Sequence, residues 1–542
     1  MIYSGTVQAK TGEAVPLFLD GSPMHSKYNP HGEALRFPQS VQEGAGCIVV
    51  GGIGGGFHLT ALKTTFPHAL LVASEADDES LSFCLAQETV RELCCDPLVF
   101  FCTPETIEAV LVKNYLPAFY GPLSFVAHRA WEDRNVIACS ALRAAVSKSL
   151  ASISADYSVQ AHFGLQWERN ILLNLQSNIA TEGTVQTCGY PGIHPQRLTP
   201  NNHSGMMKKS GPRPMFDTTK TAAIIAAGPS LDTSIKSLKA HRERYVVFAT
   251  DTAYGPLVLH GIQPDAVVSV DAQHISLSHL YPCPHNSTSE DGTLFVFDIA
   301  APHEAVHLAR RRGHRTCFFS SGHPLLSFVQ HNGSSFLSLE SGSGTVTIAA
   351  CDFARQMGFA RISLFGADFC YNSGKAYTRG TYLDRQFFGG GTRLFPAEQQ
   401  FAALMFRTEL EAAQERTTFS GTVRAPKTNA VLDGYRTSLC GWAHRHGYSI
   451  EHSSLVRASK CTVQGIPQFE SDPNGLFRWL AELKSFCKNP ENRPNQAVIA
   501  ALPFVAWLKH TRHKNGYGDF FTLLKLAYSH ALRYTTKHED KT

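Results

Sequence analysis

Charge is the first thing this chain has little of. Asp, Glu, Lys and Arg supply 17% of its 542 residues, and the formal net charge is only +4. That excludes a nucleic-acid binder driven by bulk electrostatics. No uninterrupted apolar run approaches the roughly 18 residues of a membrane span, and the first ten residues lack a basic, apolar leader or a lipidation signal. None of the 14 cysteines falls in a CxxC pair, and only Cys94 and Cys95 are adjacent. A disulfide framework and a cysteine zinc site are therefore not expected. The 25 histidines include no HExxH or other compact ligand spacing, so they read mainly as surface or loop residues and no metal ligand is assigned. The expectation is a reduced, soluble, cytoplasmic protein with 43% hydrophobic residues and two to four domains of about 150 residues each.

What the chain does have is repeated strand–glycine–helix punctuation. After a β-rich lead-in, Cys47-Ile-Val-Val-Gly51 reads as a buried strand, and Gly52-Ile-Gly54-Gly55-Gly56 opens a helix. Ala69–Ser74 is a second strand, ending on Glu75, an acid about twenty residues after a glycine-rich turn. This pattern predicts a Rossmann-like unit over 1–134, in which Glu75 could meet ribose hydroxyls or the glycines could simply allow close packing. Residues 135–219 read as a helical connector followed by a loop-rich linker. Asn170 and Asn174 lie one turn apart on one face of it.

The central stretch, 220–400, repeats the pattern more densely. Ala222–Ala227 is an apolar strand that breaks at Gly228-Pro229, with Ser230 or Asp232 positioned to cap the next helix. Further strands begin at Tyr245, Ala266, Leu294 and Arg315, and three of them lead into Asp251, Asp271 and Asp298. Glu340-Ser-Gly-Ser-Gly-Thr345 then opens a helix, and Arg361–Phe365 delivers Gly366-Ala-Asp368. Strands alternating with helices predict a doubly wound α/β domain, which binds ligands at the carboxyl ends of its strands. Two glycine-containing turns at helix N-termini can present backbone N–H groups to phosphate. The expected nucleotide contacts are Gly228, Pro229, Ser230, Asp251, Ser341, Gly342, Ser343, Gly344 and Thr345. Residues 401–468 read as a continuation of this domain. Residues 469–542 read as helical, with apolar stripes at Leu476, Trp479, Leu480 and Leu483 and at Phe520, Phe521, Leu524, Ala527 and Ala531. The fold class expected is thus α/β, two Rossmann-like doubly wound domains with a helical C-terminal region.

The segments AAGPSLD (226–232), GIQPDAVVSVD (261–271), SGSGTVT (341–347) and LFGADFCY (364–371), in that order, resemble the motility-associated factor (Maf) flagellin glycosyltransferases. That family shares its core domain with archaeal 6-hydroxymethylpterin diphosphokinase. The glycine-rich N-terminal unit and WERNILLNL (167–175) fit the same arrangement, whereas Ser454–Ser459 departs from it. The resemblance implies a sialyltransferase-like central domain moving a nonulosonic sugar from a CMP-sugar donor to Ser or Thr of flagellin. On that reading Asp271 and Asp368 are the candidate catalytic bases. Tyr371, Lys375, Tyr377 and Arg379 are the candidate substrate contacts, with Arg385 a further option for the sugar carboxylate. The alternative is diphosphoryl transfer from ATP, with Mg2+ on Asp251, Asp271 or Asp368. A third is a catalytically silent nucleotide-binding scaffold or export partner for flagellin.

Overall fold

The computed structural model describes residues 1–181, 215–281, 292–332, 336–457, 473–512 and 519–535, apart from 343, 373, 413–414, 419–420, 425 and 452. The chain forms two units, one of residues 1–165 and 482–530, the other of residues 166–481 and 531–542. This differs from the five sequence regions. The C-terminal helices Pro473–Lys488, Gln496–Arg512 and Phe520–Thr535 are not a module of their own. Their apolar stripes explain why: Leu476, Trp479, Leu483, Leu524, Ala527 and Ala531 are all buried.

In the first unit an antiparallel hairpin, Tyr3–Gln8 with Ala14–Phe18, precedes a four-stranded parallel sheet. Its order is Val99–Cys102, Leu70–Ser74, Cys47–Gly51, Leu123–Ala127. The two central strands are buried along their whole length, as expected where both faces of a parallel sheet are covered. The long helix Val136–Thr181 begins here. Gly164 lets it meet Gln496–Arg512 backbone to backbone, since a Cβ there would stand 1.9 Å from the Pro503 carbonyl oxygen. Within this helix Val136–Ser177 is long and apolar enough to cross a membrane by length and composition. The sequence hid this because uncharged Ser, Gln and Asn interrupt the apolar residues.

The second unit is built on a nine-stranded sheet. Its order is Leu337–Ser338, Arg315–Ser320, Leu294–Asp298, Ala266–Ser269, Tyr245–Thr250, Thr221–Ile225, Arg361–Phe365, Ser454–Arg457, Tyr448–Glu451. The first seven strands pair in parallel, and Ser454–Arg457 then pairs antiparallel with both Arg361–Phe365 and Tyr448–Glu451. The antiparallel edge was not legible because its exposed, polar positions carry no apolar run. Asn170 and Asn174 brace this unit. Asn170 donates to the carbonyls of Ala272 and Ala300, and Asn174 to those of Ile299 and Ala301, at 2.8–3.2 Å. The shared face is thus a structural lace between the helix and two strand-end loops.

The glycine-rich turn of the first unit is filled by protein. Residues 52–57 are all buried, and Cβ atoms at Gly52 and Gly54 would meet Trp131 at 2.5 Å and Met24 at 2.6 Å. Glu75 is fully buried and accepts from Tyr3 Oη, Trp131 Nε1 and the Ile53 and Ala76 N–H groups at 2.5–3.0 Å. The carboxylate is occupied by internal donors, so of the two readings close packing wins over ribose binding. Gly52→Ala, with φ +88 and no space beside the indole, should lower stability by about 2–4 kcal/mol. A urea denaturation midpoint within error of wild type would contradict this packing account.

Candidate functional site

The order of strands in the nine-stranded sheet reverses between Thr221–Ile225 and Arg361–Phe365, the parallel neighbours at which the chain begins and later returns. Such a switch point opens a crevice at the carboxyl edge, because the loops leaving the two strands turn to opposite faces. Both loops are tied together here. Gly228 N–H donates to the Gly366 carbonyl at 2.8 Å, and a Cβ on Gly228 would meet that oxygen at 2.4 Å. Asp368 is buried and receives the Ser230 N–H at 2.8 Å and the Ser230 hydroxyl at 2.5 Å. Ser230 therefore spends its side chain on Asp368 and makes no side-chain cap on helix Leu231–Ala240. Asp232 does not cap it either. Its carboxylate holds the next loop, accepting from Lys375 Nζ at 2.9 Å, the Arg379 N–H at 3.0 Å and the Thr378 hydroxyl.

These contacts sort the expected site residues. Asp368 acts as a loop brace, so the base reading passes to Asp271. Lys375 is paired with Asp232, and Arg379 contributes its main chain to the same clamp. Asp251 is buried beside the Ser269 hydroxyl (2.8 Å) and the Thr252 N–H (2.7 Å). Asp271, half-buried at the next strand end, accepts the Gln273 N–H at 2.9 Å. Desolvation first, and then the charge of Asp251, push its pKa above the ordinary carboxylate range, against the opposing Gln273 hydrogen bond and His279. Asp298 lies deeper and is raised to about 6 by burial. Asp251 and Asp298 are both buried, and Asp271 is the one of the three that combines a raised pKa with partial access.

Around Asp271 stand Tyr377, expected from the sequence as a substrate contact, and further side chains that sequence reading did not select. Tyr382 packs its ring 4.7 Å from that of His279 and feels the charges of Asp271, Arg407 and Asp251 after desolvation. Tyr377 is raised by desolvation and then by the phenols of Tyr382 and Tyr371, with Arg407 opposing. Tyr435 also influences Tyr377 and lies 3.2 Å from the Cβ position of Gly344. Tyr435 thus links the 341–345 turn to the phenol cluster. In that turn Ser341 is buried, Thr345 caps helix Val346–Gln356, and nothing stands within 4 Å of a Cβ built on Gly342. Ser343 lies outside the described residues. Glu340 anchors the turn through Arg445 (2.9 Å) and His446 (2.5 Å). Asp251, Asp271 and Asp368 do not converge as a three-ligand metal set among the described residues, since Asp368 is drawn to Ser230. Arg407, Tyr382 and Tyr435 were invisible because they come from three separate segments after residue 380. The only early signal was the run TNAVLDGY (428–435).

Comparison with known proteins bears on the fold and the family. Residues 199–374 match the family described as MptE-like, 6-hydroxymethylpterin diphosphokinase MptE-like. An uncharacterised protein of Treponema pallidum (strain Nichols) is 32% identical over 244 residues, 45% of this chain and 77% of that one. A second from the same organism is 31% identical over 173 residues, 32% of this chain and 68% of its own. The solved structure of a MAf glycosyltransferase from Magnetospirillum magneticum AMB-1 superposes with a TM-score of 0.53 at 13% identity, covering 99% of this chain and 93% of that one. The chain shares that fold.

If Asp368 holds the two loops in register, Asp368→Ala leaves the Ser230 N–H without its acceptor and should cost about 1–3 kcal/mol. Asp368→Asn should recover part of that loss. Equal urea denaturation midpoints for wild type and Asp368→Ala would refute the brace.

Proposed function

We propose, from the premise that this chain belongs to the family of those Treponema pallidum proteins and carries an MptE-like domain in a Maf glycosyltransferase fold, that it is a cytoplasmic glycosyltransferase. In this reading it moves a nonulosonic sugar from a CMP-sugar to Ser or Thr hydroxyls of flagellin. The observation that carries the reading is the half-buried Asp271 at the sheet's carboxyl edge, beside Asp251 and the Tyr382–Tyr377 phenols. A base for an alcohol acceptor must sit near the reacting edge, where Asp271 stands with its pKa raised above the ordinary carboxylate range by desolvation. The open space beside Gly342, before the N-terminus of helix Val346–Gln356, suits the departing phosphate, because the helix dipole favours an anion there. Arg407 adds the nearby positive charge. Lys375 supplies less, since its ammonium is already paired with Asp232.

The sign of the pH dependence follows. Asp271 must be ionised to accept a proton, so activity should rise with pH through a limb set above the ordinary Asp range. Asp271→Asn should remove that limb and lower kcat by roughly 10²–10⁴-fold. An unchanged pH–rate profile in Asp271→Asn would rule the base out. In the organism, deletion of the gene should shift flagellin to the mass of the unmodified chain. Identical intact masses with and without the gene would sink the acceptor assignment.

The MptE-like match favours one second reading, diphosphoryl transfer from ATP. Mg2+ is commonly held by one or two carboxylates with phosphate oxygens completing its shell. Asp271 fits that role as the partly open carboxylate, since Asp251 is buried against Ser269 and Thr252 and Asp368 is held by Ser230. Saturable binding of CMP with no competition by Mg–ATP favours glycosyl transfer, and the reverse favours the kinase.

A further inference from the structure

Three histidines far apart in sequence meet inside the first unit. His25 follows the hairpin, His58 lies in the first turn of helix Phe57–Thr65, and His128 directly follows strand Leu123–Ala127. All three are at least nine-tenths buried. Their ring centres are separated by 5.4 Å (His25–His58), 4.9 Å (His25–His128) and 4.9 Å (His58–His128). One ligating atom from each lies within 4.8 Å of the other two.

The hydrogen bonds define where the lone pairs are. His58 Nε2 bonds the Gly52 carbonyl oxygen at 2.9 Å, so it carries the proton and Nδ1 keeps its lone pair. That Nδ1 is buried without a hydrogen-bond partner, and so is Nδ1 of His128. His25 accepts the Gly55 N–H through Nε2 at 3.0 Å, which puts its lone pair at that atom. Two orphaned imidazole nitrogens in one buried cluster are unusual, because buried polar groups are nearly always satisfied. A backbone carbonyl on the far nitrogen, as His58 has, is the customary outer contact of a metal-bound histidine.

Placement gives a second, independent argument. The four-stranded sheet reverses its order between Cys47–Gly51 and Leu123–Ala127. His58 and His128 leave the carboxyl ends of these two strands, at the crevice where doubly wound sheets hold ligands.

We propose that His25, His58 and His128 bind one divalent transition-metal ion of the zinc class in the first unit. Imidazole-only ligation selects Zn2+, Co2+, Ni2+ or Cu2+ over Mg2+ and Ca2+. Tetrahedral imidazoles with Zn–N of about 2.0–2.1 Å place their ring centres about 5 Å apart, the spacing found here. Metal entry draws the three nitrogens together and takes His25 Nε2 from the Gly55 N–H. Three protein ligands leave one tetrahedral position for water. The ion would pin the hairpin, the glycine-rich turn and the fourth strand to one point.

The test uses the full-length chain, stripped with a chelator and titrated with Co2+. One equivalent should bind, with the visible absorption of tetrahedral Co2+ that one equivalent of Zn2+ abolishes. His58→Gln and His128→Gln should each weaken binding by more than about 100-fold, while His241→Gln, at an exposed helix end, should not. Folded wild-type protein that gives no tetrahedral cobalt spectrum overturns the site. A spectrum that persists at full strength in both variants also overturns it, as adventitious binding elsewhere. Should the variants fail to fold by circular dichroism, the wild-type cobalt spectrum and its zinc competition decide the matter.

Discussion

The second unit depends on a buried carboxylate that joins two loops. Asp368 takes both the N–H and the hydroxyl of Ser230, a pair of charge-assisted bonds each worth roughly 1.5–3 kcal/mol. The main-chain bond from Gly228 to Gly366 runs alongside them. Because the loops leave neighbouring parallel strands and would otherwise diverge, this tie sets the width of the crevice. Asp232 extends the same logic outward by suspending the 375–379 loop from the first turn of the following helix. Tyr377 lies within that held loop.

The two parallel sheets use one local pattern and reach opposite outcomes. Each has a strand, a glycine-rich turn, a helix and an acid at a strand end. In the first unit Trp131, Met24 and His25 press into the turn, and Glu75 is surrounded by internal donors. In the second unit nothing within 4 Å faces Gly342, and Asp271 keeps partial access to solvent. A glycine-rich turn is therefore equally compatible with a packed core and a ligand cradle. The side chains that arrive from elsewhere in the chain decide which it becomes.

Much of the fold was legible because buried parallel strands are short, uniformly apolar and sharply bounded. Cys47–Gly51 runs between the residues that the apolar pattern marks. Ser454–Arg457 and Tyr448–Glu451 were not legible, because antiparallel edge strands with exposed faces lack that signature. For the site, the strand-end acids could be found but not ranked. Spacing alone cannot say that Asp368 turns inward to Ser230 while Asp271 stays partly open. Arg407, Tyr382 and Tyr435 could not be found at all, since no local periodicity links them to the strands they approach.

By itself the sequence determined the α/β class, the strands of both parallel sheets that carry long apolar runs, and the acids and glycines at their ends. These follow from local patterns, in which burial on both faces demands apolar residues and tight turns demand glycine. Tertiary structure alone decided which acid braces, which stays partly open, which glycine turn is filled and which histidines meet. Each of those outcomes rests on contacts between residues tens to hundreds of positions apart. Their energies come from desolvation and hydrogen-bond geometry that exist only once the chain has folded.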